Sequence, residues 1–231
     1  MTKFEALFGI KKSEIKHTCV LMPLILKNSL EAFGIKKLSR GKIYSSGNSM
    51  HFTLINTGIG AGFTGDSALY LSDTGCKDLI LFGSCGLVRA DKNLDIGSLV
   101  APVKCYAMES FTDMLLKNNA SGAFYPDSNL LDKFLAGKNE FQKVTCATLG
   151  SLKLEEENLD LLKEKDIQAV DMECSSFFSA AKHKHLNAMA LFYVSDIINK
   201  KPFYSNLNRE DETKLFLSIQ SGIKSICSFI K

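Results

Sequence analysis

Short apolar runs alternate with helix-like segments along the chain, and this alternation restricts the possible folds more than any other feature. Strands are predicted at residues 17–26, 42–46, 51–56, 78–82, 99–103, 144–148, 168–172 and 188–195. Helices are predicted from the end of the first strand through Phe33, at residues 63–72 and 174–185, and from Asn208 or Asp211 onward. The polar segment 109–129 is predicted to be mainly loop. Strands that alternate with helices are typical of an α/β fold, here with a central mixed, largely parallel sheet flanked by helices.

The length and composition fit one domain. The chain has 231 residues, of which 45% are apolar, and this is enough for one sizeable core. No linker, low-complexity tract or charge block divides the sequence. Residues 1–231 are therefore predicted to form a single domain.

Charge and cysteine usage argue against several classes of function. The net charge is +3, with 28 basic and 25 acidic residues mixed along the chain and no basic stripe of the kind that binds nucleic acid. No stretch approaches the ~18 apolar residues that span a bilayer, and the N-terminus lacks the apolar core of a signal peptide. The seven cysteines are scattered, without a CxxC pair or a Cys/His cluster. We therefore expect a cytoplasmic protein with no metal or cofactor and with no nucleic-acid or membrane partner.

Glycine turns and acidic residues follow four of the predicted strands. The turn TGIG at 57–60 follows one strand, and the turn GSCG at 83–86 follows another. Glu173 follows a third strand, and Ser195 and Asp196 come at the end of a fourth. If these strands run parallel, their carboxyl ends share one edge of the sheet, which is where ligands bind in open α/β folds. The pattern predicts one cleft surrounded by glycine turns, a serine and two carboxylates.

Two segments of the chain resemble widespread motifs without matching them. The segment TGIGAGFTG at 57–65 misses the dinucleotide-binding GxGxxG because Phe63 holds the third glycine's place, which disfavours a nicotinamide cofactor. The segment FGSCG resembles the nucleophile elbow GxSxG, but Phe82 replaces its first glycine. A serine hydrolase would also need a histidine beside Ser84, and only His183 and His185 follow it in the chain. A serine hydrolase is therefore disfavoured, and labelling of Ser84 by a fluorophosphonate would be needed to support it.

The two acids have a structural and a functional interpretation. Glu173 alone could lie at a helix N-terminus, where the helix dipole favours negative charge, and Asp196 alone could cap a strand end. Two acids at the ends of neighbouring strands, each preceded by apolar residues, favour a site instead. One acid can accept hydrogen bonds from ligand hydroxyls while the other, partly desolvated, delivers a proton.

Three motifs, taken in their order and spacing, resemble the nucleoside phosphorylase and nucleosidase superfamily. They are NTGIG at 56–60, FGSCGLV at 82–88, and VDMEC at 170–174 followed by VSD at 194–196. LDIGSLVAP at 94–102 is a weaker match. The superfamily includes purine nucleoside phosphorylase, uridine phosphorylase and methylthioadenosine/S-adenosylhomocysteine nucleosidase. The resemblance implies a nucleoside phosphorylase-like fold and a homo-oligomer, either a dimer or a hexamer.

The resemblance also implies roles for seven residues. Met172 and Glu173 would hold the ribose, with Glu173 accepting hydrogen bonds from the 2′- and 3′-hydroxyls. Asp196, supported by Ser195, would bind N7 of a purine and protonate the base as it leaves. The residues expected to face the base or the nucleophile are Ser84, Cys85 and Gly86.

The chain departs from the family pattern where the nucleophile would bind. Phosphorylases carry one arginine in a loop after the first strand and another before the GS turn, and here these places hold LMPLILKN at 21–28 and Leu81. Two guanidiniums that would bind phosphate are therefore missing. Hydrolases of the family have a glutamate after the first strand, where this chain has apolar residues. They often also carry an arginine four residues before the aspartate, where this chain has Phe192. The substitutes that the sequence offers are Lys27, Glu31, Arg40 and Arg89, or a residue of a neighbouring subunit.

The sequence thus predicts an enzyme that cleaves the N-glycosidic bond of a purine nucleoside. Hydrolysis is favoured, because the loss of two arginines harms binding of a phosphate dianion more than binding of water. Phosphorolysis with inorganic phosphate as co-substrate, and nucleoside binding without turnover, remain alternatives. Residues that contact the base and the 5′ substituent are expected in segments 106–126, 147–152 and 197–207.

Overall fold

The chain forms one mixed sheet with helices packed on both faces, as seen in a computed structural model that describes residues 1–26, 28–117 and 122–231. The strands are β1 (Thr18–Met22), β2 (Ser39–Arg40), β3 (Ser45–Asn48), β4 (Phe52–Asn56), β5 (Asp78–Leu87), β6 (Leu99–Met108), β7 (Ala123–Phe124), β8 (Phe141–Leu149), β9 (Ala169–Asp171) and β10 (Asn187–Ile197). The α-helices are α1 (Lys3–Phe8), α2 (Ser29–Ala32), α3 (Ala61–Leu71), α4 (Ser110–Leu115), α5 (Ser128–Leu135), α6 (Leu152–Glu157), α7 (Leu159–Glu164), α8 (Cys174–His183) and α9 (Arg209–Ile230), with a short 3-10 helix at Lys12–Glu14.

Strand β5 changes partners along one of its edges. On its other edge, β10 runs parallel to it over the whole length of β5. On the edge where the partner changes, β1 pairs with β5 in parallel only as far as Leu81. β9 then pairs with the far end of β5, starting at Gly86, and runs antiparallel to it. Residues 82–85 lie between these two partners, and the sheet is open there.

The other pairings place this gap at the centre of the sheet. β10 also pairs with β6, and β6, β8 and β9 lie side by side, so that these strands close a ring with β5. β1, β4, β3 and β2 extend outward from β5 in that order. The longest pairings, β5 with β10 and β6 with β8, are parallel. The predicted mixed, largely parallel sheet is confirmed.

Apolar side chains fill both faces of the sheet. In β1, Cys19 and Leu21 face a core formed with α1, α3 and α8, whereas Val20 and Met22 face a second core formed with α2, α5 and α9. A strand that is buried on both faces carries a continuous apolar run instead of an alternating one. This explains why the central strands are visible in the sequence as uninterrupted apolar segments.

Local signals set several helix ends. α1 begins at a capping box in which Thr2 accepts from the N–H of Glu5, and it ends at Gly9, which has the left-handed conformation that favours glycine. α9 begins where the Asn208 side chain accepts from the N–H of Asp211. Within the described ranges, no helix is both long and apolar enough to cross a membrane. All seven cysteines are free thiols.

Two predictions about the elements are wrong, and one helical segment was not predicted. Segment 109–129 is not mainly loop, because α4, β7 and the start of α5 fall within it. Helices α6 and α7, at 152–164, were not predicted. The residues Ser84, Cys85 and Gly86 do not form a turn after a strand, because pairing with β10 continues β5 through them to Leu87.

We expect Gly222→Ala in α9 to destabilise the protein by about 1–3 kcal/mol, the usual cost of overpacking a core. A Cβ atom at this position would lie 2.8 Å from the ring of the fully buried Phe82. The matched control is Gly62→Ala in α3, where a Cβ atom would meet nothing within 4 Å. Alanine should stabilise that helix by up to about 1 kcal/mol. Urea unfolding of both variants measures the difference, and equal stabilities would contradict the packing described here.

Candidate active site

The gap between β1 and β9, along one edge of β5, opens into a cavity. All seven predicted site residues line this cavity. The wall includes residues 83–86 of β5, residues 170–173 at the end of β9, and Ser195 and Asp196 of β10. Glu173 and Asp196 therefore face one hollow, as expected. Further lining residues are Pro23, Leu24, Ile59, Leu152, Glu155, Tyr193 and Phe203.

The residues converge for a different reason from the predicted one. The prediction assumed that the strands before Gly58, Gly83, Glu173 and Asp196 all run parallel, but β9 runs antiparallel to β5. β9 enters from beyond the far end of β5 and ends beside the gap. Its carboxyl end therefore meets the same cavity as the ends of β1, β4 and β10. The assumption of parallel strands was wrong for β9.

Glu173 is held between the starts of two helices. It precedes α8 directly, and its side-chain Oε1 accepts a 2.6 Å hydrogen bond from the backbone N–H of Gly60 at the start of α3. Gly60 has a φ of 117°, a conformation that only glycine adopts readily. Burial raises the pKa of Glu173 to about 7, although the hydrogen bonds from the N–H groups of Gly60 and Met172 act in the opposite direction. The NTGIG segment therefore positions this carboxyl group.

Asp171 fixes the start of α8. Its Oδ2 accepts from the backbone N–H groups of Glu173 at 2.8 Å and Cys174 at 2.6 Å, and its Oδ1 accepts from Thr148 Oγ1 at 2.7 Å. The hydroxyl of Thr148 also accepts from the N–H of Ser175 at 2.8 Å. These bonds satisfy N–H groups that the first turn of a helix leaves without partners. Asp171 thereby orients Met172, which is half-buried in the cavity wall, and Glu173.

A β-bulge in β10 directs Ser195 and Asp196 into the cavity. Val194 pairs with Cys85 and Asp196 pairs with Gly86, so Ser195 is an extra residue in the strand. The Ser195 hydroxyl lies 2.7 Å from Asp196 Oδ1 and 3.3 Å from the carbonyl oxygen of Cys85. Burial raises the pKa of Asp196, and the Ser195 hydrogen bond partly opposes this rise. Ser195 thus holds Asp196 by one oxygen, and burial makes this carboxyl group release its proton less readily than an exposed aspartate.

The three residues of β5 contribute to the wall in different ways. Ser84 is exposed and pairs with Tyr193 of β10. The Cys85 side chain is buried in the core, so its thiol does not face the cavity. Gly86 leaves space for Asp196, because a Cβ atom there would lie 2.8 Å from Asp196 Oδ2.

Glu155 is a further acidic residue of the cavity that was not among the predicted site residues. This residue lies in α6, is 5% exposed, and lines the cavity. Burial, and after it the charge of Asp196, raise the pKa of Glu155 to about 7. The segment SLKLEEE at 151–157 does carry a helix signal, a serine N-cap followed by strong helix formers. Nothing in the sequence distinguishes Glu155 from Glu156 and Glu157, because burial of one of the three depends on how the helix packs.

Other expected residues lie elsewhere. Glu31, Arg40 and Arg89 are exposed and do not line this cavity, and Lys27 lies outside the described residues. Of the three segments expected to contact the base and the 5′ substituent, 147–152 contributes Leu152 and 197–207 contributes Phe203. The described part of 106–126 contributes no lining residue. No histidine of the described chain lines the cavity, which removes the support for a serine hydrolase at Ser84.

A cluster of potential metal ligands lies behind the cavity. The nearest ligand atoms of Cys105, Cys146 and Asp171 lie within 4.8 Å of one another, and all three residues are buried. Asp171 already accepts hydrogen bonds at both carboxylate oxygens, and Cys105 lies 3.3 Å from the hydroxyl of Thr148. These contacts explain the cluster as the anchor of α8. The absence of a metal remains a prediction.

Comparisons with known proteins identify the family and the fold. The family model of the phosphorylase superfamily matches residues 25–217. A search of curated proteins gave no match. Among solved structures, uridine phosphorylase from Vibrio fischeri ES114 has a TM-score of 0.79 at 15% identity, over 96% of this chain and 94% of that chain. Purine nucleoside phosphorylase from Toxoplasma gondii, in complex with immucillin-H, has a TM-score of 0.76 at 15% identity, over 100% and 98%.

A nucleosidase also shares the fold. The 5′-methylthioadenosine/S-adenosyl homocysteine nucleosidase of Campylobacter jejuni has a TM-score of 0.71 at 16% identity, over 93% of this chain and 98% of that chain. These findings confirm the predicted family and fold. They agree with the predicted class of enzyme, a nucleoside phosphorylase or hydrolase, and do not distinguish the two activities.

We expect the free energy of unfolding to fall as the pH rises towards 7. Folded Glu155 and Glu173 keep their protons up to about pH 7, whereas glutamates in an unfolded chain release theirs at about pH 4.3. The folded state therefore binds more protons between these values, and its advantage is lost as the pH rises through the folded pKa. Urea unfolding across this window should show a shallower fall for Glu155→Gln. The matched control, Glu157→Gln on the exposed side of α6, should follow the unsubstituted protein, and parallel curves for all three would contradict the buried carboxyl.

Proposed function

Because the chain belongs to the phosphorylase superfamily, we propose that this cavity cleaves the N-glycosidic bond of a purine nucleoside by hydrolysis. One observation supports hydrolysis most strongly. The cavity is lined by four acidic residues, and among the described residues no lysine, arginine or histidine lines it. The acids are Glu155, Asp171, Glu173 and Asp196.

The acid that protonates the base is Asp196. Cleavage of an N-glycosidic bond moves negative charge onto the leaving base, so a proton donor beside the base lowers the barrier. Asp196 is suited to this step because burial favours its protonated form. Ser195 holds Oδ1, so Oδ2 is available to donate to N7 of the purine.

The residues that hold the sugar are Glu173 and Met172. Cleavage builds positive charge on the ribose ring, as in other glycosidic-bond cleavage, and a nearby carboxylate stabilises this charge. Glu173 has one oxygen bonded to Gly60, which leaves the other free to accept from ribose hydroxyls. The thioether side chain of Met172 packs against the apolar face of the sugar.

Water fits this cavity as a nucleophile better than phosphate does. A phosphate dianion in a partly buried cavity needs cationic partners to offset its desolvation, and in the described chain no cationic side chain lines this cavity. Pro23 and Leu24 follow β1, in the region where the phosphorylase pattern carries an arginine. A water molecule carries no charge and has no such cost.

We expect adenosine, inosine or methylthioadenosine to release free base in phosphate-free buffer. Added phosphate should leave the rate unchanged, because the described cavity has no cation to bind it. Chromatography of the reaction with and without phosphate, and detection of free ribose against ribose 1-phosphate, measures this. Strict dependence on phosphate would establish phosphorolysis instead. Calorimetric binding with no base release across the nucleosides would establish a binding protein.

The second expectation is that Asp196→Asn lowers kcat by about 10²- to 10⁴-fold, the usual contribution of a general acid. Asparagine keeps the shape and can donate a hydrogen bond to N7, but it cannot transfer a proton, so KM should change little. Steady-state kinetics with the best nucleoside measures both constants. Asp132→Asn, an exposed residue of α5, is the matched control and should keep full activity. A fully active Asp196→Asn enzyme would refute this role.

A further inference from the structure

Glu155 is a carboxyl group of the cavity to which the proposed reaction assigns no task. It is 5% exposed and reaches the cavity from α6. It also lies with Asp196 in a smaller adjoining hollow, between Leu152 and Phe203. Glu155 is therefore on the side of the cavity where Asp196 is expected to meet the base, rather than deep beside the ribose site.

The surroundings of Glu155 provide no protein partner for its carboxyl group. No group of the described chain donates a hydrogen bond to it. The charged or titratable groups around it are Glu156 of its own helix, Asp196 of β10, Glu173 at the start of α8, and Tyr204 in the segment after β10. Glu156 is paired with the exposed Lys153 at 3.6 Å. A nearly buried carboxyl without a donor is costly for the fold, and such groups concentrate at functional sites.

Asp196 and Glu155 together can present one donor and one acceptor. Two neighbouring carboxyl groups in a poorly solvated site share one proton, because both cannot ionise cheaply. The protonated member donates a hydrogen bond, and the ionised member accepts one. Adenine has the complementary edge, with N7 as an acceptor beside the N6 amino group as a donor. The 6-oxopurines have two acceptors, O6 and N7, on the same edge.

We propose that Glu155 selects 6-aminopurine nucleosides by accepting a hydrogen bond from the N6 amino group while Asp196 donates to N7. This inference rests on the proposed function, and it adds the substrate class. Glu155 acts as a specificity-determining residue that touches the base, and Asp196 remains the proton donor. A 6-oxopurine would place O6 against the Glu155 carboxylate, where two acceptors repel each other.

The protonation of the pair predicts how the reaction depends on pH. Burial and the charge of Asp196 raise the pKa of Glu155 to about 7. Because this value applies while Asp196 is ionised, the pair of carboxyl groups holds one proton just below pH 7 and none above it. Only the pair with one proton can donate to N7 and accept from N6, so base release from adenosine should fall as the pH rises through about 7.

The experiment compares kcat/KM for adenosine, inosine and purine riboside, which lacks the 6-substituent. The unsubstituted protein should prefer adenosine to each of the others by roughly tenfold or more, the usual effect of one hydrogen bond to a charged group. Glu155→Gln should reduce both preferences to within a few-fold, because an amide can either accept or donate. Glu157→Gln, the same change at an exposed position of α6, should keep the preferences of the unsubstituted protein.

The outcomes separate this inference from the proposed function. Equal rates for adenosine and inosine, a preference for inosine, or an unchanged preference in Glu155→Gln would each overturn the role of Glu155 and leave glycosidic cleavage intact. Absence of base release from every nucleoside would overturn the proposed function and this inference with it. If Glu155→Gln does not fold, Glu155→Asp, which withdraws the carboxyl group by one methylene, decides, and an unchanged preference for adenosine would refute the inference.

Discussion

The exchange of partners along one edge of β5 is the constraint on which the rest of the site depends. β1 leaves β5 after Leu81, and β9 joins it only at Gly86, so backbone between them borders a hollow instead of another strand. The continuous pairing with β10 on the other edge keeps this stretch extended. The ends of β1, β9 and β10 are thereby fixed around one cavity without long loops, and its polar groups rest on rigid strands.

Several carboxyl groups share this cavity, and the fold tolerates them through local hydrogen bonds. Asp171 accepts backbone N–H groups at the start of α8, Glu173 accepts that of Gly60, and Asp196 accepts from Ser195. Glu155 has no such bond within the described chain. The first three accept hydrogen bonds from groups that also position them, whereas burial raises the pKa of Glu155 with no hydrogen bond to oppose the rise. This difference separates the residues that the fold itself holds in place from one that a ligand would have to satisfy.

The fold class and the family could be predicted from the sequence, because they depend on short apolar runs and on motifs local in the chain. The same motifs contain the seven predicted site residues, which all line one cavity, and their roles stay predictions. The direction of β9 could not be predicted, since three residues carry no signal of which neighbour they pair with. A turn was expected at Ser84, where the apolar run 78–82 has ended. The chain stays extended there because β10 continues to pair with β5 as far as Leu87, and this pairing depends on residues distant in the sequence. Glu155 was missed for the same reason, because its burial arises only when α6 packs beside Asp196.

The most direct test of the account is a crystal structure of the Asp196→Asn variant soaked with a purine nucleoside. The nucleoside should lie in the cavity beside β5, between the ends of β1 and β9. Its 2′- and 3′-hydroxyls should lie within hydrogen-bonding distance of Glu173, and N7 of its base should lie beside residue 196. A nucleoside bound elsewhere, or one bound here with its sugar beside residue 196 and its base beside Glu173, would contradict the account.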